Sequence, residues 1–173
     1  MEISAAILAG GLSTRFLSDK IQLTIEGENI ILHQVRLLRS LFRDVFVVSN
    51  RKDRVPGLEE HCRVEVDAYP GKGPLGGIYT ALSSSRTQWT FVLAGDMPFV
   101  NLGFIRWAAT HLSEKVDALV PKDPKGFQPL CAFYRKSCLQ TIQKKLESGN
   151  CKVMAMRPDR SEERRVGKEC RSR

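Results

Sequence analysis

Ala6-Ile7-Leu8-Ala9-Gly10-Gly11-Leu12-Ser13-Thr14-Arg15, with Asp19-Lys20 close behind, is the stretch that decides the fold. An apolar run ends in two glycines, and an arginine and a lysine follow. This is how a buried strand hands its chain to a loop whose bare backbone can lie against phosphates. Glycine permits close approach and a positive-φ turn, while the two cations offset anionic charge. The run lacks both the GxGxxG spacing of dinucleotide folds and the GKS/T ending of P-loops. Two readings of it remain open, a phosphate-binding loop and a structural turn with Arg15 and Lys20 solvated.

Outward from this junction, short β-rich runs alternate with helical patterns, which predicts βαβ units and a mostly parallel sheet. Strands are expected at residues 3–8, 44–49, 63–66, 89–94, 118–121 and 130–134. Helices are expected at 30–42, 76–84, 102–112 and 136–147. In the first of these, Ile31, Leu32, Val35, Leu38 and Leu41 or Phe42 recur at the spacing of an amphipathic face. Gly149-Asn150 is expected to stop the last. The expectation is an α/β protein of three layers, αβα, around a mostly parallel central sheet.

With 173 residues, one domain over 1–160 is expected. Residues 161–173 hold one aliphatic and eight charged side chains, which fits a solvated or disordered tail or an expression scar. The net charge is +8, of which this tail supplies +2. The remaining basic residues are dispersed, with no basic helix and no aromatic–basic interleaving, so small polyanionic ligands fit better than nucleic acid. Five cysteines without a CxxC pair read as reduced thiols. No signal peptide or bilayer-spanning run stands out, and a cytoplasmic location is expected.

Three further segments put polar groups after successive strands. Asp96, in Gly95-Asp96-Met97-Pro98, lies just past a buried strand, at the rim where open α/β sheets bind ligands. A phosphate-bound Mg²⁺ needs only one or two protein carboxylates, so one aspartate suffices chemically. The alternative is an aspartate that caps the following turn, with Pro98 starting a helix. Asp67 opens the segment Asp67-Ala68-Tyr69-Pro70-Gly71-Lys72-Gly73-Pro74-Leu75-Gly76-Gly77 and can accept hydrogen bonds from a base or sugar edge. Asn50 ends the strand at 44–49 on the same rim.

Together these residues resemble the molybdenum cofactor guanylyltransferase (MobA-like) family, a branch of the nucleotidyltransferases with a Rossmann-like fold. Leu-Ala-Gly-Gly-x-Ser-x-Arg and Asp-Lys are matched between Leu8 and Lys20, and Asn-Arg at Asn50-Arg51. The Asp…Gly-Pro-Leu-Gly-Gly segment is matched between Asp67 and Gly77, Gly-Asp-Met-Pro at 95–98 and Gln-Pro-Leu at 128–130. The resemblance covers roughly residues 1–157, and the combination is far more specific than any one piece. It implies that Leu8, Ala9 and Gly10 contact a guanine nucleotide through backbone, and that Lys20 holds phosphate. Asn50 and Asp67 are implied to bind base or ribose, Asp96 to ligate Mg²⁺, and Gln128 and Pro129 to receive the pterin. Lys20, Arg15 and Asp96 are the implied catalytic residues.

The implied reaction is guanylyl transfer from GTP to molybdopterin, with pyrophosphate released. An attacking phosphate is already anionic and demands no protein base or nucleophile, so positioning and charge neutralisation are enough. Molybdoenzyme maturation proteins are implied as further partners, and a monomer is expected. Leu-Ala-Gly-Gly favours guanine, because related cytidylyltransferases tend to carry Leu-Ala-Ala-Gly. The family usually has Met-Gly where this chain has Phe16-Leu17, which bears on the role of Arg15. Members also generally continue past the position of Arg160, so a missing natural carboxyl terminus is part of the expectation. The alternatives are a related nucleotidyltransferase using CTP or a sugar phosphate, and a non-catalytic nucleotide-binding module.

Overall fold

A computed structural model describes residues 2–10, 24–25, 27–51, 57–124, 126–149, 151 and 153. The tail expected at 161–173 lies outside the described residues. In chain order the elements are β1 (Ile3–Leu8), β2 (Thr24–Ile25), β3 (Glu28–Asn29), α1 (Ile30–Arg39), β4 (Asp44–Ser49), α2 (Leu58–His61), β5 (Arg63–Val66) and α3 (Gly73–Ser84). They continue with β6 (Trp89–Ala94), α4 (Leu102–Ala109), β7 (Ala118–Leu119), β8 (Lys122–Asp123), β9 (Gly126–Phe127), β10 (Cys131–Arg135) and α5 (Cys138–Glu147).

Six strands form the central sheet in the order β5-β4-β1-β6-β10-β7. β5, β4, β1 and β6 pair in parallel, with Ile7 opposite both Val47 and Leu93. Only β10 runs against its neighbours, antiparallel to β6 and β7. The mostly parallel expectation therefore holds, and β10 brings its amino end to the edge where the parallel strands finish. β1 sits in the middle and all six of its residues are buried. Strands covered on both faces lose the polar–apolar alternation and read as continuous apolar runs.

Two cores flank the sheet. Ile3, Ala5, Ile7, Val45, Val47, Phe91, Leu93 and Phe133 pack under α1, α2 and α4. Ala6, Leu8, Phe46, Val48, Val92, Ala132 and Tyr134 pack under α3 and α5. The period-two alternation of strand side chains thus divides each strand between the two layers. Phe91 holds the first core together, stacked on Phe42 at 5.7 Å and tilted against Phe133 at 4.9 Å between ring centroids. This is the three-layer αβα arrangement.

Helix boundaries follow local chemistry. Asn29 caps α1 by accepting from the Ile31 amide at 2.9 Å, and Asn101 caps α4 by accepting from Phe104 at 2.9 Å. α3 starts three residues before the expected 76, because Pro74 falls in the first turn, where a missing N–H costs nothing. α1 and α4 each end three residues early. Their last residues close instead through short bonds such as Leu41 N to Leu38 O and His111 N to Ala108 O. The two-stranded pairs β2–β3 and β8–β9 and the one-turn α2 were not expected, since segments of two to four residues carry no readable periodicity.

Candidate active site

Strand order fixes where a ligand can enter. From β1 the chain moves outward through β4 to β5, then returns to place β6 on the opposite side of β1. Open α/β sheets bind ligands outside the carboxyl ends of strands where the order reverses, which here is between β1 and β6. Leu8-Ala9-Gly10 leaves one of these strands and Gly95-Asp96 the other. The amide of Gly95 donates to Leu8 O at 3.0 Å, and that of Ala9 to Val48 O at 2.8 Å, so the ends of β4, β1 and β6 are locked side by side.

Gly10 lies against Asn50, which follows β4. A Cβ at position 10 would fall 2.8 Å from Asn50 Oδ1, closer than real Cβ contacts come. Glycine therefore lets the Asn50 amide stand over the end of β1. Next along the rim, Asp67 follows β5 and is 9% exposed. Its Oδ1 accepts from the Tyr69 amide at 3.0 Å and the Thr80 hydroxyl at 2.9 Å, while Thr80 Oγ1 accepts from the Ala68 amide at 3.0 Å. The carboxylate thus braces its own turn against α3.

Asp96 is exposed, and its carboxylate makes no hydrogen bond or ion pair among the described residues. Nor does any group of three or more His, Cys, Asp and Glu side chains form among them. One exposed carboxylate at the end of a strand fits a hard cation that takes its remaining ligands from water and a phosphate-bearing ligand.

Gln128 and Pro129 reach the same rim because β10 runs the other way. Leu130 O accepts from the Ala94 amide at 2.8 Å, which sets the 128–130 segment beside the Asp96 turn. Gln128 Nε2 donates to Asp123 Oδ2 at 3.0 Å, and Tyr134 OH donates to Pro129 O at 2.8 Å. Cys131, the next residue, has its thiol pushed up to about 11 by burial, so it is protonated near neutral pH and no nucleophile.

The structure thus gathers Leu8, Ala9, Gly10, Asn50, Asp67, Asp96, Gln128 and Pro129 on one rim. Arg15 and Lys20, with Phe16-Leu17, lie outside the described residues. Sequence reading passed over three residues that shape this rim: Thr80, Tyr134 and the buried Gln34, which donates to Ala94 O and Met97 O. A signal for Gln34 was present, since it stands three residues after Ile31 on the apolar stripe of α1.

The opposite edge of the sheet is closed by its own polar contacts. Ser4 Oγ donates to Asp44 Oδ2 at 2.7 Å, and Arg63 pairs with Asp44 at 3.3 Å. No helix of the described residues is long and apolar enough to cross a membrane.

A sequence profile described as the MobA-like NTP transferase domain matches residues 5–163. A Clostridium perfringens protein named "Probable molybdenum cofactor guanylyltransferase" is 35% identical over 154 residues, covering 87% of this chain and 75% of its own length. A Thermococcus sibiricus protein of the same name is 35% identical over 147 residues, covering 83% and 74%. Among solved structures, molybdopterin-guanine dinucleotide biosynthesis protein A from Archaeoglobus fulgidus superposes with a TM-score of 0.73 over 88% of this chain and 77% of its own. At 23% identity that likeness speaks for the fold.

Proposed function

Because this chain belongs to the MobA-like NTP transferase family, we propose that it transfers GMP from GTP to the phosphate of molybdopterin. One terminal phosphate oxygen of the pterin attacks the α-phosphorus of GTP. The bond from that phosphorus to the bridging oxygen of the β-phosphate breaks, and pyrophosphate leaves with the electron pair. The product is the guanine dinucleotide form of the cofactor. The observation that carries the reading is the convergence of Gly10, Asn50, Asp67 and Asp96 where the strand order reverses, in a chain 35% identical to proteins bearing that enzyme's name.

Each residue has a task within this reading. The backbone of Leu8, Ala9 and Gly10 lies along the nucleotide, with the Asn50 amide over it to bind base or ribose. Asp67 holds the neighbouring turn and offers its remaining capacity to the same part of the nucleotide. Gln128 and Pro129, on the far side of Asp96, receive the pterin, so the two substrates meet across that carboxylate. Asp96 holds a divalent cation, Mg²⁺, which when bound offsets charge on the transferring phosphates. Lys20 and Arg15 supply further positive charge. Catalysis is then positioning plus electrostatic stabilisation of a loose phosphoryl-type transition state.

Pyrophosphate release from GTP, Mg²⁺ and molybdopterin tests the reading, with Asp96→Ala as the discriminating variant. Losing one charge-stabilising contact is expected to lower the rate about 10²–10³-fold. Unchanged turnover in Asp96→Ala removes Asp96 from the mechanism. CTP turnover exceeding that with GTP overturns the guanine assignment, and GTP binding without pyrophosphate release overturns the catalytic one.

A further inference from the structure

Gln34 is fully buried in α1, on the face turned to the sheet. Its Nε2 donates to Ala94 O at 3.0 Å and to Met97 O at 2.9 Å. The reversed amide would set Oε1 against two carbonyl oxygens, so the hydrogen-bond network fixes which end is nitrogen. Met97 N donates to Ala94 O at 3.2 Å, closing a four-residue turn whose central residues are Gly95 and Asp96. One side-chain NH₂ therefore holds both ends of the turn that displays Asp96.

Among the described residues, the other hydrogen bonds of this turn reach only its first half. The Ala94 amide is tied to Leu130 and the Gly95 amide to Leu8. At the Met97 end the hydrogen bonds are the turn's own and the one from Gln34, while the Met97 side chain packs against the core. Meanwhile Gln34 Oε1 is buried with no hydrogen-bond partner among the described residues. A buried acceptor without a donor costs stability, so what Gln34 contributes lies in the two carbonyl oxygens that its nitrogen holds.

We propose that Gln34 is a positioning residue for Asp96, setting the angle at which that carboxylate meets a metal–nucleotide ligand. This rests on the nucleotidyltransferase reading above. Groups that orient a metal ligand from behind change metal affinity about 10–100-fold when removed.

The test compares wild type with Gln34→Met, which keeps length and apolar bulk but removes both donations. GTP binding is measured calorimetrically with excess Mg²⁺ and again with a chelator, giving the gain in affinity that metal confers. Amide exchange at Asp96 and Met97 is followed in parallel. Expected for Gln34→Met are a cooperative melt lowered by several degrees, because Met97 O loses its side-chain donor, with faster exchange at both amides, metal-free GTP affinity within about twofold of wild type, and a metal-dependent gain about tenfold smaller. An unchanged gain in the folded variant overturns the proposal. So does an equal loss of affinity with and without metal, and so does a variant that fails to fold, because each makes Gln34 a packing residue. Wild type that gains no GTP affinity from Mg²⁺ sinks the nucleotidyltransferase reading instead, and the exchange rates still decide whether Gln34 holds the turn.

Discussion

Gly10→Ala isolates one contact at the site. The backbone at position 10 is not in the left-handed region, so alanine meets no conformational penalty there. Its Cβ meets Asn50 Oδ1 at 2.8 Å and Asn50 Cγ at 3.5 Å. Ordinary contact begins near 3.4 Å, so the amide oxygen must retreat by about 0.6 Å. The atom in the way is the far end of a rotatable side chain, and turning it about 30° off its rotamer costs about 0.5–1.5 kcal/mol. In a domain of this size each kcal/mol is worth about 2–4 °C in melting temperature. The fold therefore survives with a fall of a few degrees.

On the proposed reading, function is affected through Asn50. An amide moved off the nucleotide forfeits one hydrogen bond, about 0.5–1.5 kcal/mol, which raises KM for GTP roughly 2- to 12-fold. Initial rates of pyrophosphate release against GTP concentration give this number, and circular dichroism melts give the stability change. The decisive measurement is the cycle with Asn50→Ala. If Gly10 matters because it makes room for Asn50, then Gly10→Ala has no further effect on KM once the amide is gone. Independent, multiplying effects of the two substitutions would refute this account.

Thr80→Val removes the hydroxyl that accepts from Ala68 N and donates to Asp67, leaving a backbone donor unpaired. That costs about 1–3 kcal/mol, or several degrees of melting temperature, while Thr80→Ser should retain most of the stability. A Thr80→Ser variant that melts below Thr80→Val would assign the stability to the methyl group instead. Burial pushes the thiols of Cys62, Cys131 and Cys138 up to about 11, against an ordinary value of 9.0. Between these values the unfolded chain has released protons that the folded chain keeps. The unfolded state then binds fewer protons, so these thiols make stability fall as pH rises from about 9 to about 11. Urea midpoints across this window should drop more steeply in wild type than in a variant with alanine at all three positions, and parallel slopes would contradict the burial account.

Different physical signals governed what could be read from the chain. β1, β4 and β6 were legible because strands buried on both faces must be apolar throughout, and the carboxyl-end rim followed once parallel pairing was inferred. Asn50 and Asp96 stood out as polar residues where two of those apolar runs stop, and Asp67 as the opening of a glycine-rich segment. The reversal of β10 was not legible. Its five residues, Cys-Ala-Phe-Tyr-Arg, carry no mark of direction, and direction is what puts Gln128 and Pro129 beside Asp96 rather than at the far edge.

The glycines show the same limit from another side. Gly10 and Gly76 look alike in sequence, each beside another glycine after a strand or loop. A Cβ at Gly10 meets a side chain that can turn away, whereas one at Gly76 meets the Tyr69 carbonyl oxygen at 2.7 Å. Backbone held by the Asp67–Thr80 brace cannot yield so easily. On the proposed reading the first glycine tunes a ligand contact, whereas the second permits the packing of α3 against the turn. Gln34 escaped notice for a related reason: helical periodicity records which positions face inward, and a buried amide satisfies that geometry while acting on a turn 60 residues away in sequence.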